Sequence, residues 1–163
     1  MTHGPRRQKG GYFAIDAGAP KPLTVRLTHR VRFSDVDPMA VLWHGRYAQL
    51  FEQANEEIGR RCGLSYADFR EARLVAPIVQ FHADYFAPVT LSEMVTIIGR
   101  MMWSDGARMD IEYEIHKENG TLAATGYTVQ MFVGENGVPW LAAPEILEAC
   151  RRRWSAGELG GSL

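Results

Sequence analysis

Several things that would decide the class of this chain early are scarce or missing. Its 163 residues hold two cysteines, Cys62 and Cys150. Neither belongs to a Cys-x-x-Cys pair or a Cys/His cluster with metal-ligand spacing. Free thiols in a reducing compartment, with no disulfide, are expected. Charge of one sign is not in excess: 18 Lys and Arg stand against 19 Asp and Glu, a net formal charge of −1. A general electrostatic grip on nucleic acid or on an acidic membrane is therefore not expected. No apolar run approaches the roughly 18 residues of a membrane span. Residues 1–22 carry arginines, glycines and prolines around one short apolar run, Tyr12-Phe13-Ala14-Ile15, which does not read as a leader. A cytoplasmic protein is the expectation. Glycine-rich phosphate loops, dinucleotide fingerprints and Gly-x-Ser-x-Gly elbows are absent as well, and Ser34, Ser65 and Cys62 lack the partners of a nucleophile.

What is present fits one domain, long enough to bury about two-thirds of the surface its unfolded chain exposes. Glycines and prolines interrupt every period in residues 1–22, which read as a flexible extension, with order beginning at Leu23. The domain then runs over 23–155, followed by a flexible tail at 156–163. Leu23, Val25, Leu27, His29, Val31 and Phe33 alternate with Thr24, Arg26, Thr28, Arg30 and Arg32, the pattern of a half-buried strand. Tyr47, Leu50, Phe51, Ala54 and Ile58 recur at helical spacing, with Arg60 and Arg61 in the last turn and Gly63 as the stop. No Ser, Thr, Asp or Asn stands at the helix start, so Gly45 or the loop backbone must cap it.

A short helical piece follows at 66–71, and strands are expected over 75–86, 94–103, 108–117 and 121–133. Asn119-Gly120 supplies a hairpin turn between the last two, which makes them antiparallel neighbours. Pro144 opens a terminal helix with Ile146, Leu147, Cys150 and Trp154 inward. The order predicts an α+β fold: one antiparallel five-stranded sheet wrapped around a long central helix, with a short C-terminal helix. Residues 94–102 are apolar on both faces, so either something covers the outer side or strands pair across a subunit boundary.

The segment from Val31 to His44 concentrates the chemistry. It sets Asp35, Asp37, Pro38 and His44 between a strand and a helix start, where unpaired N–H groups and a partial positive charge favour an anion or a polarised carbonyl. Asp37 reads as either a loop cap or a carboxylate able to attack a thioester carbonyl or orient water onto it. Asp35 reads as holding the turn. His44 offers either its ring or its N–H, and Glu52 falls just off the apolar stripe. A metal site drawn from Asp35, Asp37, His44 and His82 matches no known ligand spacing. Met101, Met102 and Trp103 read as core or interface.

Phe33, Asp35, Asp37, Pro38, Val41, Trp43, His44, Tyr47, Phe51, Glu52 and Ala54 together resemble the acyl-CoA thioesterases of the 4-hydroxybenzoyl-CoA thioesterase type, which have the hotdog fold. The resemblance covers roughly 23–150, more weakly through 76–79 and 86–88. It implies that Asp37 is the catalytic carboxylate and that the N–H at His44 holds the thioester oxygen, with Trp43 and Tyr47 facing substrate. No cofactor and no metal are implied beyond the CoA of the substrate. The partner is an acyl-CoA or an acyl-carrier protein, and the assembly a homodimer or homotetramer. Two departures stand out. Ala40 occupies a position where such enzymes often have glycine, and alanine enters positive φ less freely, so a slightly different loop path is expected. The basic cluster that grips CoA phosphates in the enzyme naming the family is reduced here to Arg108. Two other readings remain open: a dehydratase, although 47–58 holds no histidine, and a non-catalytic acyl-CoA sensor.

Overall fold

The computed structural model of the chain describes residues 11–159. The alternating segment Leu23–Arg30 forms β1. It stops short of the expected Phe33, because Phe33–Asp35 coil into a single 3-10 turn and turn Phe33 outward to 84% exposure. Helix α1 spans His44–Cys62 and buries Tyr47, Leu50, Phe51, Ala54, Asn55, Ile58 and Cys62 on one face. Gly63 ends it in the left-handed region at φ 77°, donating its N–H to the Gly59 carbonyl. Helix α2, Tyr66–Glu71, begins with a reciprocal cap between Ser65 and Asp68.

The expected strand over 75–86 is broken at Ala76-Pro77, where proline lacks an N–H for the ladder. It becomes the short β2, Leu74–Val75, and the long β3, Ile78–Tyr85. Strands β4 (Met94–Met102), β5 (Arg108–Lys117) and β6 (Leu122–Met131) follow, then β7 (Val133–Gly134), which pairs with β2, and α3 (Glu145–Ser155). Gly120, at φ 84°, makes the expected β5–β6 turn.

The main sheet is antiparallel throughout, in the order β1-β4-β5-β6-β3. Helix α1 lies across one face of it. Two strand glycines mark the closest approach: a Cβ on Gly99 would come within 2.8 Å of the Ala54 Cβ, and one on Gly126 within 2.5 Å of the Phe51 ring. Phe51 stacks on Tyr113 with centroids 4.5 Å apart, so the helix fills the fold and the sheet wraps it. β4 is hydrogen-bonded on both sides, which removes it as a strand pairing across a subunit boundary. Among the described residues the edge beyond β3 has no partner, and Ile78, Val79, Phe81, Tyr85 and the adjoining Phe86 are exposed there.

The ends of the chain depart from expectation. Residues 1–10 of the extension and 160–163 of the tail lie outside the described residues. Ahead of Leu23, the N–H groups of Tyr12 and Phe13 donate to the Glu112 carboxylate on the outer face of the sheet. The Tyr12 hydroxyl meets Asp84 and Thr125, and its ring packs on Tyr127 and His82. An aromatic pair among glycines is enough to fasten this segment where sequence reading placed only an extension. In the tail, Leu159 is buried in the core. Cys62 and Cys150 are free and buried close to one another, and the neighbouring Cys150 together with burial pushes the Cys62 thiol far up. Neither spacing nor pattern had indicated that these two meet.

Candidate active site

Between β1 and α1 the backbone folds back on itself. Val36 bridges to Leu42, and the Asp37 N–H donates to the Val41 carbonyl at 2.9 Å. Asp37-Pro38-Met39-Ala40 make a tight turn closed by the Ala40 N–H on the Asp37 carbonyl. Proline supplies the required φ at its second position and aspartate the side-chain acceptor. Ala40 adopts φ 59°, the left-handed conformation that glycine takes without cost. The expected change of loop path is thus corrected: alanine is held in the glycine-like conformation. The surrounding pairs hold it there, with the Ala40 carbonyl accepting from Leu91 and Val41 bridging to Thr90.

The Asp37 carboxylate divides its two oxygens. Oδ1 accepts the N–H groups of Met39 (2.8 Å) and Val41 (3.2 Å). Among the described residues Oδ2 has no partner. The capping reading of Asp37 is therefore realised on Oδ1, and Oδ2 is left over from it. Helix α1 starts beside this loop with no side-chain cap. The Trp43 N–H is taken by the Asp35 carbonyl and the Arg46 N–H by the Trp43 carbonyl. Among the described residues no acceptor serves the His44 and Gly45 amides, so two helix-end donors remain for a ligand. The His44 ring leans on Trp43, centroids 5.1 Å apart, and both side chains are exposed at the mouth.

Asp35 is buried and engaged throughout. Its Oδ2 accepts from His29 Nε2 and the Arg32 N–H, each at 2.9 Å, and Arg46 Nε lies 3.8 Å from Oδ1. Burial alone would raise its carboxyl, but the Arg32 N–H, His29 and Arg46 outweigh it and hold it below the ordinary range. The assignment of Asp35 to the turn agrees with this geometry. Tyr47, expected to face substrate, is only 3% exposed. It stands edge-on to Tyr85 with centroids 4.8 Å apart, so it enters the site as part of its wall. Burial and the neighbouring Tyr85 push its hydroxyl up to about 12. Glu52 is exposed, with the Tyr66 hydroxyl 3.4 Å away.

Arg108 is not brought to this end of the sheet. The far end of β5, at Lys117, pairs with Glu93, whose carbonyl accepts the Val31 N–H beside the site. Arg108 lies nine residues back along the strand, about 30 Å away. There it pairs with Asp110 at 2.9 Å. His82 is likewise remote from Asp35 and Asp37, paired with Asp84 on the outer sheet face. Among the described residues no three His, Cys, Asp or Glu side chains gather as metal ligands. Sequence reasoning passed over His29 and Arg46. The signal for His29 was there: it is the polar residue in an inward position of an otherwise apolar strand face.

A five-stranded antiparallel sheet around one long helix, with a carboxylate loop at the helix start, defines the hotdog class. The model of the thioesterase-like superfamily matches residues 31–150, and the chain belongs to that superfamily. Solved structures similar to it include a DHNA-CoA thioesterase from Staphylococcus aureus, at 25% identity over 86% of this chain and 97% of that one, TM-score 0.72. A 1,4-dihydroxy-2-naphthoyl-CoA thioesterase from Synechocystis aligns at 19% identity over 79% of this chain and 96% of that one, TM-score 0.71. A Staphylococcus aureus protein in complex with CoA aligns at 18% identity over 91% of each chain, TM-score 0.73. No curated protein sequence matches the chain. Among the described residues no helix is long and apolar enough to cross a membrane.

Proposed function

We propose that this chain hydrolyses an acyl-CoA thioester to a free acid and a thiol, with Asp37 as the working carboxylate and the His44 N–H as the oxyanion donor. The observation that carries the reading is the division of labour on Asp37: one oxygen is fixed by Met39 and Val41, and among the described residues the other has no partner and the neighbouring helix-start amides no acceptor. Polarised by the His44 N–H, the carbonyl carbon is open to attack. As nucleophile, Asp37 forms a mixed anhydride, the thiolate leaves, and water cleaves the anhydride. As general base, it takes a proton from water, the oxygen adds to the carbonyl, and the thiolate departs as the tetrahedral intermediate collapses. Both routes put negative charge on the carbonyl oxygen, and losing one such donor typically costs about 10²–10³ in rate.

A homo-oligomer belongs to the same proposal. The unpartnered β3 edge and its exposed Phe81, Tyr85 and Phe86 lie along one side of the site, and a second copy is the partner that completes it. Arg108 reaches the CoA only from such a copy. The dehydratase reading loses ground because α1 holds no histidine beyond His44 at its first position. The sensor reading keeps one observation in its favour, the loop-capping use of Asp37 Oδ1. Thiol release from a panel of aliphatic and aromatic acyl-CoAs and an acyl-carrier-protein thioester separates the readings. Turnover by the wild type supports the enzyme; binding without turnover supports the sensor.

A further inference from the structure

We infer that His29, Asp35 and Arg46 form a latch that positions the His44 amide and the Asp37 loop, with His29 as a positioning residue outside the site. The inference rests on the thioesterase reading for its kinetic consequence, but not for its geometry. Helix α1 is hung from the 3-10 turn by three hydrogen bonds: the Trp43 N–H to the Asp35 carbonyl at 2.9 Å, and Arg46 Nε and Nη2 to the Ser34 carbonyl at 3.2 and 2.7 Å. The turn in turn hangs from β1. Asp35 Oδ2 accepts from the strand's last inward-facing side chain, His29 Nε2, at 2.9 Å, and an ionised carboxylate there makes the imidazole the donor.

The order of the chain gives the latch its purpose. Trp43 N–H is the engaged amide immediately before the two, of His44 and Gly45, that have no acceptor among the described residues. Asp37 follows Asp35 by two residues and is tied to the same segment through the Val36–Leu42 bridge. Moving Asp35 therefore moves both the donor and the carboxylate, and it moves them differently. A displacement near 1 Å in such a pair can cost up to about 10²-fold in rate. His29 and Asp35 are both mostly buried, so solvent does little to weaken the bond between them.

The test compares His29→Ala with His29→Gln, whose amide can donate from nearly the same place as Nε2. In the wild type the Trp43 amide is expected to exchange slowly with deuterium. His29→Ala should speed that exchange about tenfold or more while leaving the β5 amides unchanged, and His29→Gln should restore it. On a thioester that the wild type turns over, His29→Ala should lower kcat about 10- to 100-fold with KM within twofold, and His29→Gln should recover most of it. Unchanged Trp43 exchange in a folded His29→Ala protein overturns the latch, whatever the activity. A wild type that hydrolyses no thioester, with the Trp43 amide still deprotected by His29→Ala, overturns the thioesterase reading and upholds the latch. Loss of kcat in His29→Gln equal to that in His29→Ala also overturns it, because the restored donor should then have sufficed.

Discussion

The two ends of the sheet are built from similar parts and finished differently. At the β1–α1 end, a loop carrying two acids enters a helix that has no side-chain cap, and the His44 and Gly45 amides and one oxygen of Asp37 are left without protein partners among the described residues. At the other end, the loop between β4 and β5 is closed by a cation. Arg151 of α3 donates to the carbonyls of both Ser104 and Gly106 and lies over the Trp103 ring, while Ser104 Oγ takes the Gly106 N–H. Asp37 Oδ2 is not among the buried unpaired atoms, so leaving it without a protein partner costs little and keeps it available to water or a ligand. On the proposed thioesterase reading, the contrast separates the end that would receive substrate from an end closed by its own side chains, although the second holds Arg108, the residue expected to meet CoA.

The strongest way to break the contrast is at Asp37. Asp37→Asn keeps an Oδ1 that can accept from Met39 and Val41, so the loop should remain folded with little change in Tm. It removes the negative oxygen, and kcat should fall about 10²–10⁴-fold. Thiol release with several acyl-CoAs reads this directly, and a full rate in the variant removes Asp37 from the chemistry. At the closed end, Arg151→Met should do the opposite. Two carbonyls lose their donor in a region where Arg151 is itself buried, so stability should drop by about 2–3 kcal/mol in a denaturant titration. The rate per folded molecule should not move. Equal losses of rate in both variants would dissolve the distinction between the two ends.

Much of this difference was legible in the sequence, and the limits have physical causes. The 3.6-residue stripe of α1, the β5–β6 hairpin at Asn119-Gly120 and the breaker at Pro38 are local signals, and each appears where the pattern placed it. The site segment was legible for the same reason: Asp35, Asp37 and the helix start are adjacent in the chain. What the pattern could not carry were contacts between distant segments. Tyr12 on Glu112, Cys62 against Cys150, and His29 on Asp35 across the strand end depend on how elements dock. The place of Arg108 depends on docking as well. The resemblance suggested a contact with CoA, and strand length and direction put it at the opposite end of β5 from Lys117, which lies at the Asp37 end of the sheet.

A smaller effect tests the closed end through pH. Asp110, beside Arg108 on β5, is 2% exposed and its Oδ1 has no hydrogen-bond partner. Burial raises its carboxyl above the ordinary 3.8, and Arg108 only partly offsets this. A folded-state value above the unfolded one means that the folded protein holds the proton more tightly. Asp110 therefore contributes stability that is present below pH 3.8 and lost as pH rises through the raised value. Asp110→Asn should abolish that loss and leave the variant more stable than the wild type at pH 7. The two proteins should converge in Tm as the pH is lowered, and a gap independent of pH would count against burial of the charge as the cause.

The smallest effect belongs to the open end. Ala40 sits at φ 59° between the Asp37 turn and the strand pair with Thr90, a conformation that costs an L-residue with a Cβ about 1–2 kcal/mol. Glycine would adopt it freely but would also gain freedom in the unfolded chain, worth about 0.4–1 kcal/mol in the opposite direction. The net for Ala40→Gly is a gain of about 0.5 kcal/mol, which in a protein of this size shifts Tm by about 1–2 °C. The turn hydrogen bonds do not involve the Ala40 side chain, so kcat should stay within a factor of two. A clear fall in kcat together with the gain in Tm would have a specific meaning: the methyl group, by resisting the left-handed conformation, stiffens the segment that holds Asp37. The strain would then belong to the open end's function rather than being a tolerated cost.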